Sequence, residues 1–130
     1  MSSVSVIVPV CNEEENILPF YTEIKKHLVY EHELLFLDDG SSDKTFLQIL
    51  DLSAKDVNVK CISFSSNFGH QNAIMAGLKY ATKQNIITMD GDLQHHHELI
   101  HSMLAKLNAA FDIVTTNRNN GRRIWDIRVC

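Results

Sequence analysis

This chain has no Cys-x-x-Cys pair, no glycine-rich phosphate loop, no apolar run of membrane-spanning length and no surplus of positive charge. Each absence removes a class of function. The three cysteines, Cys11, Cys61 and Cys130, are far apart and odd in number, which argues against a zinc knuckle and against a disulfide framework. A reducing, cytoplasmic setting is expected. Lys and Arg number 12 against 16 Asp and Glu, giving a formal charge of −4, so no global basic field favours nucleic acid. No apolar stretch approaches the roughly 20 residues that a spanning helix needs. The first residues, Met1 to Val4, lack the charged and apolar regions of a signal peptide. No G-x-G-x-x-G follows the first apolar run and no Walker A loop occurs, which sets aside a Rossmann dehydrogenase. Repeats, linkers and low-complexity segments are missing as well. What remains is 130 residues at 45% hydrophobic, enough for one soluble domain with a real core.

The pattern along the chain alternates strands and helices. Residues 4–10, 33–37, 57–64, 85–89 and 111–116 are short apolar runs that read as strands. Between them, helical signals occupy a segment from the Asn12–Asn16 caps to about Tyr30, one carrying Phe46, Leu47, Ile49 and Leu50, and residues 69–83 and 98–108. Pro19 fits only because it falls in the first helical turn, where its missing N–H has no partner anyway. Ser41, Ser42 and Asp43 are available to cap the second helix. From Asn117 the pattern stops, leaving a polar, Arg-rich tail with one Trp. Strands separated by single helices imply an α/β fold with a mostly parallel sheet and helices on both faces.

Three acidic stretches each follow an apolar run, at the sheet edge where open α/β folds bind ligands. In Asp90-Gly91-Asp92, side chains two apart on extended chain point the same way. Two carboxylates can then converge on one hard cation such as Mg²⁺ or Mn²⁺, with Gln94 as a further oxygen donor and phosphate oxygens or water completing the shell. Gly91 leaves room for close approach of a ligand. In Asp38-Asp39-Gly40-Ser41, adjacent carboxylates point in opposite directions. Asp39 is expected to meet a nucleoside, with Asp38 supporting the loop or lying near the metal; a plain Asx turn is the simpler reading of the same residues. The stretch Ser65 to Gln71 offers backbone N–H groups and a helix N-terminus that can support nearby loop or ligand groups. His95, His96 and His97 cannot all face one ion; a helix start with solvated imidazoles is the reading, and a zinc site is the least favoured one.

Together these stretches resemble family 2 glycosyltransferases of the GT-A fold. The matching segments are Val8-Pro9-Val10-Cys11-Asn12-Glu13-Glu14-Glu15-Asn16, Leu37-Asp38-Asp39-Gly40-Ser41-Ser42-Asp43-Lys44-Thr45, Asn67-Phe68-Gly69-His70-Gln71 with Ala76-Gly77-Leu78, and Met89-Asp90-Gly91-Asp92-Leu93-Gln94-His95 with Glu98-Leu99-Ile100. Within the family the chain is most similar to the polyprenyl-phosphate group, which includes dolichyl-phosphate mannose synthases and bacterial undecaprenyl-phosphate glucosyltransferases. The resemblance implies a nucleotide-diphospho-sugar-binding core over residues 1–118, with 119–130 a truncated, poorly ordered start of an acceptor region. It implies donor contacts from Pro9, Asn12, Glu13, Asp38, Asp39, Asp90, Gly91 and Arg118. It implies a DXD-type metal site for Mg²⁺ or Mn²⁺ at Asp90, Asp92 and Gln94. The donor implied is a nucleotide diphosphate sugar, UDP-linked in preference to GDP-linked, and the acceptor a polyprenyl phosphate at the cytoplasmic face of a membrane, in cell-envelope polysaccharide synthesis. Catalytic residues on the acceptor side fall beyond Cys130, and a homo-oligomer is open. Cys11, Ser66, His96 and His97 depart from the family pattern, where Tyr, Arg and two prolines are usual.

Three other readings compete. A phospho-receiver domain has similar size and acidity, but it needs its acidic pair after the first strand and its acceptor Asp after the third, where this chain has Phe64-Ser65-Ser66. A non-catalytic nucleotide-sugar-binding or scaffold module would keep the fold without turnover. A transferase acting on a saccharide hydroxyl would need a carboxylate base that these residues do not supply.

Overall fold

A computed structural model describes residues 3–28, 31–89 and 91 in full, and the backbone of 113–119 and 122–128. The helix expected over 98–108, the carboxylates Asp90 and Asp92, Gln94 and His95–His97 all lie outside the described residues. The elements are β1 (Val4–Val10), α1 (Ile17–His27), β2 (His32–Asp38), α2 (Thr45–Lys55), β3 (Val59–Ser63), α3 (His70–Tyr80), β4 (Asn85–Thr88), β5 (Ile113–Asn119) and β6 (Arg122–Arg128). The sheet runs β3-β2-β1-β4-β5-β6. β1 through β5 are parallel, and β6 returns antiparallel to β5.

β1 lies at the centre and every one of its seven residues is buried. Period-2 alternation sorts its side chains onto two faces. Val4, Val6, Val8 and Val10 join Leu34 and Phe36 of β2 under Ile17, Phe20 and Ile24 of α1 and Ile49 and Leu52 of α2. Phe20 meets Phe36 edge to face at 6.1 Å. On the opposite face Ile7, Leu35 and Leu37 pack beneath Ala73 of α3. Burial on both faces explains why these strands read as continuous apolar runs. Among the described residues, no helix is long and apolar enough to cross a membrane.

β3 (Val59–Ser63) and α3 (His70–Tyr80) are shorter than the sequence pattern suggests and β5 runs on to Asn119, and two larger differences appear at the start of α1 and in the tail. α1 begins at Ile17, because Asn12 to Asn16 are taken up by a turn closed from Asn16 N–H to the Glu13 carbonyl (2.9 Å). Pro19 falls in its first turn, as the pattern requires. The polar tail contributes β6, in register with the whole of β5. Its charged residues hide any apolar period, but Asn120-Gly121 between the two strands in sequence is a strong hairpin signal.

At the N-terminal rim, away from the acidic loops, the carboxylate of Glu33 is buried. It accepts hydrogen bonds from Ser5 Oγ, from Lys60 Nζ (2.8 Å), and from the backbone N–H (2.7 Å) and hydroxyl (2.9 Å) of Thr82. Lys83 N–H donates in turn to Ser5 Oγ (3.1 Å). The network ties the α3–β4 connection to β1 and β2. Burial alone would push the Glu33 carboxyl upward, but the donors from Lys60, Ser5 and Thr82 outweigh it and hold it down to about 2. A lowered carboxyl stabilises the fold fully above its unfolded value and less as pH falls through its folded value. Stability from Glu33 is therefore complete at neutral pH and drains away from about pH 4.5 toward pH 2. Glu33→Gln is expected to cost roughly 2–3 kcal/mol at pH 7 and to flatten that acid limb, as read by urea unfolding between pH 3 and 7.

Candidate functional site

The parallel strands all end on one rim, and β1 lies where chain order reverses, with β2 on one side and β4 on the other. A crevice opens at such a point beyond the strand ends. Here its origin is covalent. Met89 N–H donates to the Ile7 carbonyl (3.0 Å), so alternate residues of β1 turn their backbone toward β4. The next donor on that side would be residue 9, and Pro9 has none. Pairing between β1 and β4 accordingly stops at Ile7 and Thr88. On the β2 side pairing continues to Val10 and Asp38.

Val10 is where three loops meet. Its carbonyl accepts the Asp39 N–H (2.9 Å) from the loop after β2. Its side chain abuts Gly91 in the loop after β4: a Cβ on Gly91 would stand 2.5 Å from Val10 Cγ1 and 2.6 Å from Glu13 Oε2. Any larger residue at that buried position would force the Val10 and Glu13 side chains to shift. Residues 10, 13, 39 and 91 therefore share one rim. Of the acidic triplet expected to hold a metal, Gly91 is the described member.

The loops after β1 and β2 are laced together. Asn12 adopts a positive φ of 52°, which Asn tolerates better than most residues. Its Oδ1 accepts from Ser42 N–H (2.8 Å), Ser42 Oγ (3.2 Å) and Asp43 N–H (3.3 Å), while its own N–H donates to Ser41 Oγ (2.9 Å). Glu13 N–H donates to Thr45 Oγ1 (2.9 Å), and Glu14 N–H to Asp43 Oδ2 (3.2 Å). Asp43 also accepts the N–H (2.9 Å) and the hydroxyl of Thr45. Burial would raise its carboxyl, but the bonds from Thr45 and the Glu14 N–H prevail and lower it. Asp43 lies one residue before the Lys44 N-cap, so the expected side-chain cap is not made; it accepts the Thr45 N–H through a local turn instead and links that turn to the β1 loop. Ser41 and Ser42 go to Asn12 instead of capping.

The two adjacent aspartates have opposite surroundings, as strand alternation requires. Asp38 is buried on the α1–α2 side. It accepts from Ser41 N–H (3.3 Å) and Ser63 Oγ (3.3 Å). Burial and then the nearby Asp38 charge push the Cys61 thiol on the same face up to about 12. Asp39 takes the Phe68 N–H at Oδ1 (2.7 Å) and the Gly69 N–H at Oδ2 (3.1 Å). It thereby anchors the loop before α3, where the sequence offered N–H groups for such a partner. Asn67 Oδ1 shares the Gly69 N–H (3.1 Å), and Asn67 Nδ2 reaches Cys11 Sγ at 3.5 Å. Phe68 is half exposed and leans edge-on against Phe64 at 5.7 Å. Arg118 lies at the end of β5 on the same rim by strand direction, opposite residue 123 of β6. Sequence reasoning missed Asp43 and Thr45 as links between loops; the Asn12-to-Asp43 interval carries no local signal for a contact across 31 residues. Among the described residues no cluster of three or more His, Cys, Asp or Glu could by itself hold a metal.

Gly40 fixes the packing of two of these loops. Its φ is +73°, and a Cβ there would stand 2.6 Å from both the Asn67 nitrogen and the Ser66 carbonyl carbon. Backbone cannot yield as a flexible side chain does. Gly40→Ala is expected to cost roughly 2 kcal/mol or more, measured by urea unfolding.

This arrangement agrees with comparisons to known proteins. The sequence model for Glycosyl transferase family 2 matches residues 5–126. "Putative glycosyltransferase CsbB" of Bacillus subtilis (strain 168) is 39% identical over 119 residues, covering 89% of this chain and 36% of that protein. "Uncharacterized glycosyltransferase sll0501" of Synechocystis is 34% identical over 125 residues, covering 93% and 39%. The chain thus spans between a third and two-fifths of the length of these relatives. Among solved structures, S. aureus TarS 1–349 in complex with UDP-GlcNAc superposes with a TM-score of 0.67 at 27% identity, over 82% of this chain and 31% of that one. The mannosyltransferase PcManGT from Pyrobaculum calidifontis, in complex with GDP-Man and Mn²⁺, has a TM-score of 0.63 at 23% identity over 68% and 27%, a likeness of fold. A strand order of β3-β2-β1-β4, a β1–β4 ladder that stops short of Pro9 and a family match over nearly the whole length give one conclusion: the chain belongs to glycosyltransferase family 2 and has its GT-A nucleotide-sugar-binding fold.

Proposed function

We propose that this chain is the donor-binding part of an inverting, metal-dependent glycosyltransferase that moves a hexose from a nucleotide diphosphate sugar to a polyprenyl phosphate. The observation that supports it most is the meeting of three loops at Val10, where Asp39 and Gly91 touch one residue from two sides. A UDP-linked donor is favoured over a GDP-linked one; the TarS structure at 27% identity holds UDP-GlcNAc. In this reading the nucleoside lies along the laced loops, among Pro9, Asn12, Glu13, Asp38 and Asp39. Asp39 accepts one N–H at each oxygen and keeps acceptor capacity at both. Asn12 acts through the backbone that it holds, since its carbonyl oxygen already serves three donors. Asp90, Gly91 and Arg118 attend the diphosphate.

Asp90, Asp92 and Gln94 would hold the metal. Two carboxylates and a carboxamide oxygen form a hard donor set suited to Mg²⁺ or Mn²⁺. Bound there, the ion supplies positive charge where negative charge gathers on the departing diphosphate. A phosphate monoester with a second pKa of about 6 is already largely dianionic at neutral pH. Such an acceptor displaces the diphosphate directly, with inversion, and requires no protein base. The chain's share of its relatives' length supports a second reading, in which residues 1–118 bind donor and turnover needs further chain. In both readings the acceptor lipid would place the whole enzyme at the cytoplasmic face of a membrane.

Calorimetric titration tests the donor assignment. UDP-glucose is expected to bind the chain, more tightly with Mn²⁺ than with EDTA, and GDP-mannose more weakly. Asp92→Asn is expected to remove the metal-dependent increment and leave the rest. No binding of either sugar nucleotide at millimolar concentration would end the assignment.

A further inference from the structure

Among the described residues two aromatic side chains are exposed, Phe68 at 52% and Tyr80 at 56%. Tyr80 ends α3 at the opposite rim, with Lys79 Nζ 5.9 Å from its ring centre. Phe68 stands at the ligand rim, and its backbone is pinned on both sides. Its N–H is held by Asp39 Oδ1 (2.7 Å), and its carbonyl accepts from Asn72 Nδ2. The residue before it, Asn67, reaches Cys11 Sγ on the β1 loop (3.5 Å). The residue after it, Gly69, gives its N–H to Asp39 Oδ2 (3.1 Å) and Asn67 Oδ1 (3.1 Å). The backbone of residues 66 and 67 closes on Gly40. The loops after β1, β2 and β3 together fix the point from which this ring projects.

The ring's one aromatic contact leaves a face open. Phe64 meets it at 5.7 Å with the two planes at 87°. An edge-to-face pair takes one face of one ring and an edge of the other, so at least one face of Phe68 is not used by Phe64. The space next to it is open as well. A Cβ on Gly69 would meet nothing within 4 Å, whereas at Gly40, Gly77 and Gly91 it would stand within 2.6 Å of a neighbour. Asp39 borders this space through the Gly69 N–H and keeps acceptor capacity at both oxygens,. A flat heterocycle with N–H donors on its edge can therefore bond to Asp39 and lie on Phe68 at once. A ring whose backbone is already pinned loses little further freedom when such a ligand covers it. Across the loop junction, Cys11 offers no ring of its own.

We propose that Phe68 is the stacking platform for the nucleobase of the donor. The proposal deepens the donor-binding reading and rests on it for the identity of the ligand. Every base has a π-face, so an aromatic platform adds affinity without choosing among bases. Choice of base falls to polar groups at the base edge, and Asp39 is the one that also holds the platform's backbone.

The test uses the whole chain and three variants. Phe68→Leu keeps an apolar side chain without a ring, Phe68→Tyr keeps the ring, and Tyr80→Leu is a control at the far end of α3. Three probes are titrated: uridine, UDP-glucose, and inorganic pyrophosphate with Mn²⁺, which has no base. Phe68→Leu is expected to weaken uridine and UDP-glucose about fivefold or more, with pyrophosphate held within twofold. Phe68→Tyr is expected to bind both uridine-containing probes as wild type does, and Tyr80→Leu to leave all three unchanged. In proton NMR, H5 and H6 of bound uracil are expected to move upfield under the ring current of Phe68, and to lose that shift in Phe68→Leu. Uridine that binds Phe68→Leu within twofold of wild type overturns the platform, and so does an unshifted uracil. A lowered thermal midpoint with all three probes weakened together marks a structural side chain and overturns it too. A wild type that binds neither uridine nor UDP-glucose ends the donor reading and the platform with it. One that binds both and is indifferent to Phe68→Leu ends the platform alone.

Discussion

The ligand rim depends on a backbone constraint inside the sheet. β1 is hydrogen-bonded on both sides, yet its two ladders have unequal length, because a residue that cannot donate stands at position 9. The longer ladder carries Asp38 and Asp39 to the top of β2 beside Val10. The shorter one lets the chain leave β4 early and bring Gly91 against the same valine. The acidic loops assemble because of this difference.

The rim is then fixed by side chains that serve backbone. Asn12, Asp43, Asp38 and Asp39 each accept N–H groups from a loop other than their own or from the turn that follows them. Polar loops that must hold a shape without a hydrophobic core need such partners for their backbone donors. Carboxylates are good at this, since charged acceptors make stronger bonds than neutral ones. Several residues that look ligand-facing in the sequence are therefore also structural. For Asp39 the two roles are compatible, because it retains lone pairs after both N–H bonds are made.

Much of the fold was legible because the parallel strands are buried on both faces and read as unbroken apolar runs bounded by acidic or glycine-containing loops. The opposite orientations of Asp38 and Asp39 followed from strand geometry alone, and Pro19 fell where its chemistry allows. Three things were not legible. α1 starts later than its capping residues suggest, because Asn12 is recruited by Ser42 and Asp43 across 30 and 31 residues. β6 is disguised by arginines whose pairing appears only once β5 is beside them. The burial of Glu33 could not be foreseen either: a lone Glu in an apolar strand gives no hint that Ser5, Lys60 and Thr82 converge on it.

The stop in the β1–β4 ladder at Pro9 also bears on how this rim can vary. Lengthening β4 by a residue or two would normally let two neighbouring strands zip further and close the gap between them. Here the rung that would do so has an acceptor, the Met89 carbonyl, but no N–H opposite it. Changes in the loop after β4 can thus accumulate without sealing the opening, because a five-membered ring in the neighbouring strand keeps it from closing.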